Sequence, residues 1–421
     1  MARIYTAQYL YAANDALIEH GALLEDQGRI LEVGTLSQIK KSAPSATLVD
    51  YGAALLLPAF VNAHTHLELS FYPEWASAAS VSSEPSSFVE WILRLIKVKR
   101  SHSAEEMRPA IKAGIQMCLK SGTAAVGDIL SWYEGRSAFA HTPLSGRVFL
   151  ESLGQDLVVT QTQFKKLSSV LQEQGVGRFD FGLSPHSPYT IRPKYMSQLF
   201  EEAEKRQLGC ATHIAESVAE VDFLDGGNGE LVERLYSEVN WHQYIPKARH
   251  LRPIEYLAER GGLGPNQLLV HGVQLDDKEI AMIAAAGAQL VLCPRSNAQL
   301  QVGIAPVAKL KKAGVKLSLG TDSLASNKSL SIWDELAFAA ATYADCLSPK
   351  ELIALATCGG AAALGLQEQL GALKTGLRAS FQVIALNEQH RPQKLLESLV
   401  TEREGRQVQA LILDGQVVKI D

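Results

Sequence analysis

The stretch Leu55-Leu56-Leu57-Pro58-Ala59-Phe60-Val61-Asn62-Ala63-His64-Thr65-His66 decides the fold. Residues 55–63 form an apolar run with the length and composition of a buried β-strand. Two histidines follow it directly, two residues apart, and side chains at positions i and i+2 of a strand point to the same side. His64 and His66 are therefore expected to project together from the carboxyl end of one strand.

Further apolar runs of strand length follow along the chain. Amphipathic stretches separate them, and in residues 88–96 the large apolar side chains recur at helical spacing. The runs lie at residues 124–129, 147–151, 179–184, 210–214, 268–273, 289–293 and 316–319. Together with the first run they make eight strands that alternate with helices, which predicts an α/β protein with a (β/α)8 TIM-type barrel over residues 58–365.

The segments that flank the predicted barrel have β-strand character. Short β-type runs occupy residues 4–10, 21–25, 30–33 and 47–50 at one end and residues 381–386 and 408–413 at the other. The pair Asp414-Gly415 predicts a hairpin turn into a last strand at residues 416–420. We expect residues 1–57 and 366–421 to combine into one small β-sandwich domain.

Composition narrows the functional classes. Hydrophobic residues make up 47% of the 421 positions, which excludes a disordered or fibrous chain, and the net charge of 40 − 45 = −5 shows no basic excess for nucleic acid or an anionic membrane. No apolar run approaches the ~18 residues of a membrane span. Five scattered cysteines without a C-x-x-C pair indicate reduced thiols. We therefore expect a cytoplasmic protein whose partner is a small-molecule substrate.

Histidines and an acid end the later strands of the predicted barrel. His213 ends the fifth strand, His271 ends the sixth, and Asp322 follows the eighth. Because the carboxyl ends of barrel strands form one face, these side chains should meet His64 and His66 there. Singly, a strand-end histidine is more often structural, and Asp322 could be a turn residue or a helix N-cap. Their joint placement favours a site for a divalent cation such as zinc.

Two more polar residues lie near these strand ends. Glu216 comes three residues after His213 and could move a proton between a metal-activated water and a substrate atom. Alternatively, it could be an acid that favours the amino end of the next helix. His186 follows the fourth strand, where it could contact substrate or pack the loop.

Taken together, these segments resemble the amidohydrolase superfamily. The resemblance rests on residues 58–66, His213-x-x-Glu216, His271-Gly272 and Gly320-Thr321-Asp322. Within the superfamily, the sequence looks like the branch of cytosine, guanine and adenosine-type deaminases and triazine chlorohydrolases. Barrels of this family often associate, so a homodimer is possible.

The resemblance implies a role for each matched residue. It implies metal ligation by His64, His66, His213 and Asp322. It further implies that His271 orients the hydroxide, that Glu216 shuttles protons, and that Asp322 also acts in catalysis by taking the second proton. No lysine ends strand four, where members with a bridging carboxylated lysine carry one, which implies one divalent ion, zinc or Fe²⁺.

A finer resemblance is to the aminodeoxyfutalosine deaminases, in residues 62–70, 292–297 and 321–327. It implies hydrolytic removal of the 6-amino group of 6-amino-6-deoxyfutalosine, an intermediate of the futalosine route to menaquinone with a benzoate-like carboxylate. Arg295 could hold that carboxylate or brace a loop carboxylate instead. Glu68 could meet ribose hydroxyls or form an ion pair near the metal loop. Ser323 is a further candidate for substrate binding.

Three alternatives stay open at this point. The chain could be an adenosine- or S-adenosylhomocysteine-type deaminase, or another amino-heterocycle deaminase. It could be a triazine-type chlorohydrolase with a different leaving group. A metal-free barrel scaffold is disfavoured, because every expected ligand and Glu216 are present.

Overall fold

The computed structural model describes residues 2–13, 17–81, 85–387, 391–401 and 408–419. Its strands are β1 Arg3–Thr6, β2 Tyr9–Leu10, β3 Ile18–Glu19, β4 Gly21–Asp26, β5 Arg29–Thr35, β6 Thr47–Asp50, β7 Ala54–Pro58, β8 Phe60–Thr65, β9 Thr123–Leu130, β10 Ser145–Ser152, β11 Gly175–Val176, β12 Phe179–Pro185, β13 Cys210–Ile214, β14 Gln267–His271, β15 Gln289–Leu292, β16 Lys316–Leu319, β17 Phe381–Ala385, β18 Val408–Leu413 and β19 Gln416–Val417.

The α-helices are α1 Leu36–Ser42, α2 Tyr72–Ala78, α3 Phe88–Arg100, α4 Ala104–Lys120, α5 Leu157–Val170, α6 Pro193–Arg206, α7 Val218–Gly226, α8 Pro253–Glu259, α9 Asp277–Ala286, α10 Pro294–Gln299, α11 Val307–Lys312, α12 Ile332–Thr342, α13 Pro349–Ala354, α14 Gly360–Ala363 and α15 Leu395–Thr401. Short 3₁₀ segments lie at Leu67–Leu69, Tyr133–Phe139, His242–Tyr244 and Pro392–Lys394, and π-helical turns at Leu231–Tyr236 and Leu355–Gly359. Among the described helices, none combines the length and hydropathy that crossing a bilayer requires.

A parallel barrel forms the centre of the protein. Its strands are hydrogen-bonded in the order β16-β15-β14-β13-β12-β10-β9-β8, with the short β11 added antiparallel to β12. The first and last strands meet where the Asp322 backbone N–H donates to the His64 carbonyl at 3.0 Å. Gly320 allows this approach, because a Cβ there would lie 2.8 Å from the Cβ of His64. The predicted (β/α)8 barrel is confirmed.

The barrel strands are buried on both faces, which explains why they are nearly continuous apolar runs. Every residue of β8, β9 and β13 is buried. The surrounding helices turn apolar stripes toward the strands, and α6 buries Tyr195, Leu199 and Ala203 at a spacing of four. The hydrophobic effect therefore fixes the strand ends, and with them the side chains of the site.

The run at residues 55–63 divides between two domains, although the sequence predicts a single strand there. Residues up to Pro58 form β7, which pairs antiparallel with β17, and Phe60 begins β8 of the barrel. Pro58 has no backbone N–H to donate, so a strand can be interrupted there without losing a hydrogen bond at that position. Ala59 separates the two strands.

Two sheets form the small domain. One has the order β5-β4-β1-β6 and comes from the first segment, and the other, β19-β18-β17-β7-β2-β3, combines both ends of the chain. The predicted run at residues 4–10 is likewise divided, since β1 and β2 lie in different sheets. Tyr5 and Phe381 meet edge to face between the sheets, with ring centroids 5.1 Å apart. The predicted β-sandwich is confirmed.

Two details of the C-terminal segment differ from the sequence prediction. It contains the helix α15, which packs against the barrel helices α12 and α13 rather than joining the sandwich. The last strand ends at Val417, and the final residue of its predicted range, Ile420, lies outside the described residues.

Candidate active site

Four potential ligands converge at the carboxyl ends of the barrel strands. The Nε2 atoms of His66 and His213 lie 3.2 Å apart. Asp322 Oδ1 lies 3.5 Å from His66 Nε2 and 3.7 Å from His64 Nε2. The structure thus brings together the four residues that the sequence predicts as metal ligands.

The chemistry of this donor set fits a divalent cation. His64 is fully buried, and neither of its ring nitrogens has a hydrogen-bond partner among the described residues. Burial and neighbouring imidazoles hold the pKa values of His66 and His213 well below the usual range, so both rings are neutral and offer a lone pair. Three imidazole nitrogens and one carboxylate oxygen are typical of a catalytic site with one position left for water.

Neighbouring groups orient two of these ligands. His213 Nδ1 donates to the His186 carbonyl at 3.1 Å, which leaves Nε2 unprotonated and turned toward the other ligands. The second carboxylate oxygen of Asp322, Oδ2, accepts hydrogen bonds from Ser296 Oγ at 2.7 Å and Ser326 Oγ at 2.8 Å. Oδ1 accepts the Ser323 backbone N–H at 2.8 Å and is the oxygen that lies close to the ring nitrogens of His64 and His66.

Two buried residues that the sequence prediction did not single out brace the metal-ligand segment. Asn62 Nδ2 donates to Thr321 Oγ1 at 2.8 Å, which ties β8 to the end of β16. Asp128 accepts from Thr65 Oγ1 at 2.9 Å and from the Leu67 N–H at 2.7 Å. An acid inside the apolar run at residues 124–129 was a signal in the sequence for such a role.

Glu216 and His271 face each other beside the ligands. Glu216 Oε1 lies 3.5 Å from His271 Nε2, and His271 Nδ1 is bonded to Asn297 Oδ1 at 2.9 Å. Burial and the nearby Asp322 raise the pKa of the Glu216 carboxyl well above its ordinary value. A carboxyl group with a raised pKa, next to a neutral imidazole, is suited to proton transfer.

The sequence left open that Glu216 is an acid favouring the amino end of the next helix. In the structure a different acid, Glu220, has that position. Helix α7 begins after Ser217, and Glu220 lies in its first turn. Its carboxylate accepts the backbone N–H groups of Ala215 and Glu216 at 3.0 and 2.9 Å. Glu220 therefore supports the turn that presents Glu216, and the Glu216 side chain lines the cavity.

A cavity of about 180 Å³ opens above these residues. Its floor is polar, and its walls are mostly apolar and come mainly from α3 and from residues 235–241. The wall residues are Leu69, Trp91, Ile92, Leu95, Ile96, Leu153, Tyr189, Leu235, Val239 and Trp241. A flat aromatic ring above a polar floor suits this combination.

Two of the four predicted substrate-binding residues line this cavity. They are His186 and Ser323. His186 Nδ1 is bonded to the hydroxyls of Ser187 and Thr190 at 3.0 and 2.8 Å, which fixes the ring and leaves Nε2 on the other side. This placement is compatible with substrate contact.

Glu68 lies outside the cavity lining. Its carboxylate accepts Lys99 Nζ at 2.8 Å and the backbone N–H groups of Ser131 and Trp132 at 3.1 and 3.2 Å. Of the two roles that the sequence left open, these contacts match the ion pair near the metal loop and not the ribose contact.

Arg295 also lies outside the cavity lining. Its guanidinium donates to Ser329 Oγ at 3.0 Å and lies 3.8 Å from Asp334 and 3.9 Å from the buried Glu335. The predicted role as a substrate-carboxylate anchor therefore has no support from its position, and the alternative of bracing loop carboxylates matches these contacts. The physical reason is that α10 directs this side chain toward α12.

Sequence reasoning missed two residues with charged side chains in the cavity lining, Lys99 and Glu151. Glu151 ends the third predicted strand, as His213 ends the fifth, so the rule that selected the histidines would also have found it. Lys99 lies on α3, where the sequence indicates only an amphipathic helix.

Comparisons with known proteins agree with this geometry. The chain is 28% identical over 376 residues to an aminodeoxyfutalosine deaminase of Deinococcus radiodurans, covering 86% of each chain. It is 27% identical over 422 residues to a 5-methylthioadenosine/S-adenosylhomocysteine deaminase of Halobacterium salinarum, covering 97% of this chain and 90% of the other.

A solved structure gives the same result. The Helicobacter pylori aminofutalosine deaminase in complex with methylthio-coformycin superimposes with a TM-score of 0.87 at 25% identity, covering 99% of this chain and 100% of the other. The model of the amidohydrolase family matches residues 55–418. These matches confirm the resemblance seen in the sequence and the prediction of a hydrolytic enzyme. The chain belongs to the amidohydrolase family.

Proposed function

We propose that this protein is a metal-dependent deaminase that removes the exocyclic amino group of an aminopurine nucleoside-like substrate by hydrolysis. The observation that carries the proposal is the position of Glu216, buried 3.5 Å from His271 Nε2 at the floor of a cavity that also contains the ligand set. The first candidate substrate is 6-amino-6-deoxyfutalosine.

Each residue of the floor has a defined part in this reaction. His64, His66, His213 and Asp322 would hold a divalent cation, zinc or Fe²⁺, which would lower the pKa of a bound water to near ~7. Glu216, whose carboxyl pKa is raised by burial, takes a proton from the attacking water and delivers it to the ring nitrogen beside the carbon that carries the amino group. His271 Nε2, unprotonated because Nδ1 donates to Asn297, accepts a hydrogen bond from the attacking water. Asp322 takes the second proton and passes it to the leaving ammonia.

The walls of the cavity support a nucleoside with an apolar substituent. Trp91, Leu95 and Trp241 offer flat and aliphatic surfaces beyond the polar floor. The solved relative from Helicobacter pylori binds methylthio-coformycin in the corresponding fold. The aminodeoxyfutalosine deaminase relative matches along most of both chains, which supports the first candidate.

A second candidate is a 5-methylthioadenosine or S-adenosylhomocysteine type of substrate. One observation about the cavity favours it. The described residues that line the cavity include no arginine and a single lysine, Lys99, and this lysine is already paired with Glu68. The neutral methylthio group of 5-methylthioadenosine needs no cation, whereas a benzoate or the amino-acid carboxylate of S-adenosylhomocysteine gains from one, so this observation favours 5-methylthioadenosine.

The test is ammonia release by the metal-loaded protein. The substrate panel contains aminodeoxyfutalosine, 5′-methylthioadenosine, S-adenosylhomocysteine and adenosine, with atrazine as a control for halide release. We expect ammonia from at least one nucleoside, and the order of kcat/KM decides between the two candidates. Halide release without ammonia would favour a chlorohydrolase, and failure to retain a stoichiometric divalent ion would favour a scaffold.

A further inference from the structure

Two ionisable side chains in the cavity wall take no part in the chemistry proposed above. Lys99 reaches the cavity from α3 and Glu151 from the carboxyl end of β10. Glu151 is 6% exposed, and its Oε1 atom is buried without a hydrogen-bond partner among the described residues. An unpaired buried carboxylate oxygen destabilises a protein, so its presence in a ligand cavity points to a partner on the ligand.

Glu151 lies one side chain away from the metal ligands. Its Oε1 atom is 3.8 Å from His186 Nε2, and the centroid of the His186 ring is 4.9 Å from that of His213. A heterocycle held above His213 and Glu216 would therefore place its substituent near Glu151. In a nucleoside that substituent is the sugar.

The charges of Lys99, Glu68 and Glu151 determine which chemical group of a ligand can bind next to them. Lys99 Nζ donates to Glu68 Oε1 at 2.8 Å and to Ser131 Oγ at 2.9 Å, so one of its three N–H bonds stays available. Glu68 already balances the positive charge, and Glu151 adds a second carboxyl group. A carboxylate or phosphate gains little from such a cluster. A hydroxyl group, which both donates and accepts, matches an adjacent carboxylate and ammonium.

We infer that Glu151 and Lys99 form a subsite for the sugar hydroxyls of the substrate, the vicinal diol of a ribonucleoside. Glu151 Oε1 accepts a hydrogen bond from one hydroxyl, and Lys99 Nζ donates to a hydroxyl oxygen. This inference rests on the proposed nucleoside deaminase function. It adds to that function the two side chains that recognise the sugar of the substrate. An analogue without hydroxyls leaves both side chains unpaired, which is how a polar site rejects it.

Competition between nucleosides tests the subsite. Adenosine and 2′,3′-dideoxyadenosine are compared as inhibitors of the best substrate of the panel, with metal-loaded wild type, Glu151→Gln and a control, Glu134→Gln. Glu134 is a half-exposed residue paired with Lys166 at 2.8 Å and lies outside the cavity lining. We expect wild type and the control to bind adenosine at least on the order of 10-fold more tightly than the dideoxynucleoside. In Glu151→Gln this ratio falls toward one.

The possible failures are distinguishable. Equal inhibition by the two nucleosides in wild type, or an unchanged ratio in Glu151→Gln, overturns the subsite while the deaminase stands. Absence of ammonia release from every nucleoside of the panel overturns the proposed function and the subsite with it. Should Glu151→Gln fail to fold, as judged by circular dichroism, Lys99→Gln gives the same comparison, because it removes the ammonium and keeps a donor near Glu68.

Discussion

His66 Nε2 lies 3.2 Å from His213 Nε2, although 147 positions separate the two residues in the chain. Two neutral imidazoles whose inner nitrogens are this close gain stability from a shared cation, because their lone pairs face each other. A cation at this point would therefore stabilise the barrel as well as serve the reaction.

Replacing His66 with alanine removes one of the four proposed ligands. We expect His66→Ala to lose both bound metal and turnover, because two imidazoles and one carboxylate remain. Elemental analysis of dialysed protein, together with the ammonia assay, measures both effects. Turnover by metal-free protein would contradict the assignment of the site.

Replacing Glu216 with glutamine separates proton transfer from metal binding. Glu216 lines the cavity but is not one of the four ligands. We expect Glu216→Gln to keep stoichiometric metal while kcat falls on the order of 10²- to 10⁴-fold. Loss of metal in this variant would show that Glu216 acts as a ligand instead.

The hydroxyl groups on Asp322 make a prediction about metal affinity. Ser296 donates to Asp322 Oδ2 at 2.7 Å, and its removal leaves this oxygen with the Ser326 hydroxyl as its remaining side-chain donor, so the carboxylate is held less firmly. We expect Ser296→Ala to weaken metal binding by about 10- to 100-fold, measured by competition with a chelator. Ser137→Ala, at an exposed serine outside the site, is the matched control and should bind metal as wild type does.

Replacing Arg295 tests the choice between its two roles that the sequence left open, a substrate-carboxylate anchor and a brace for loop carboxylates. Because its guanidinium lies against Asp334 and Glu335 and not in the cavity, Arg295→Ala should lower the free energy of unfolding by about 1 kcal/mol. The KM for aminodeoxyfutalosine should change by less than about 3-fold, since binding a carboxylate through the guanidinium would be worth more than this. A large rise in KM for this substrate alone, against adenosine, would restore Arg295 as the carboxylate anchor.

Glu335 predicts how stability depends on pH. Burial raises the pKa of its carboxyl to about 8, so the folded protein holds a proton that the unfolded chain releases at its ordinary pKa of 4.5. The folded state then binds more protons than the unfolded state between these two values, and stability falls as pH rises through this window. Glu335→Gln should flatten this part of the curve. Urea unfolding of metal-free wild type and variant from pH 5 to 8 provides the measurement, and parallel curves would contradict the prediction.

The strand-end residues could be predicted from the sequence because two local rules suffice. Side chains alternate along a strand with a period of two, so His64 and His66 point to the same side. In a parallel barrel, the carboxyl ends of all the strands lie on one face. The positions of His213, His271 and Asp322 follow from these rules without knowledge of any contact.

Residues on helices and loops could not be placed in this way. Lys99 and Arg295 are both cations near the barrel mouth, yet Lys99 lines the cavity and Arg295 does not. The difference comes from how α3 and α10 pack, which depends on long-range contacts. Glu68 shows the same point, because only the folded chain brings Lys99 within 2.8 Å of it.

The sequence by itself determined the barrel, the sandwich and the candidate ligand set, because hydrophobic periodicity and the residues at strand ends can be recognised within short segments. Only the tertiary structure decided which side chains turn toward the cavity, which oxygen of Asp322 faces the histidines, and which acid supports α7. These outcomes depend on hydrogen bonds between residues far apart in the chain, and such bonds form only where packing brings donor and acceptor to within about 3 Å.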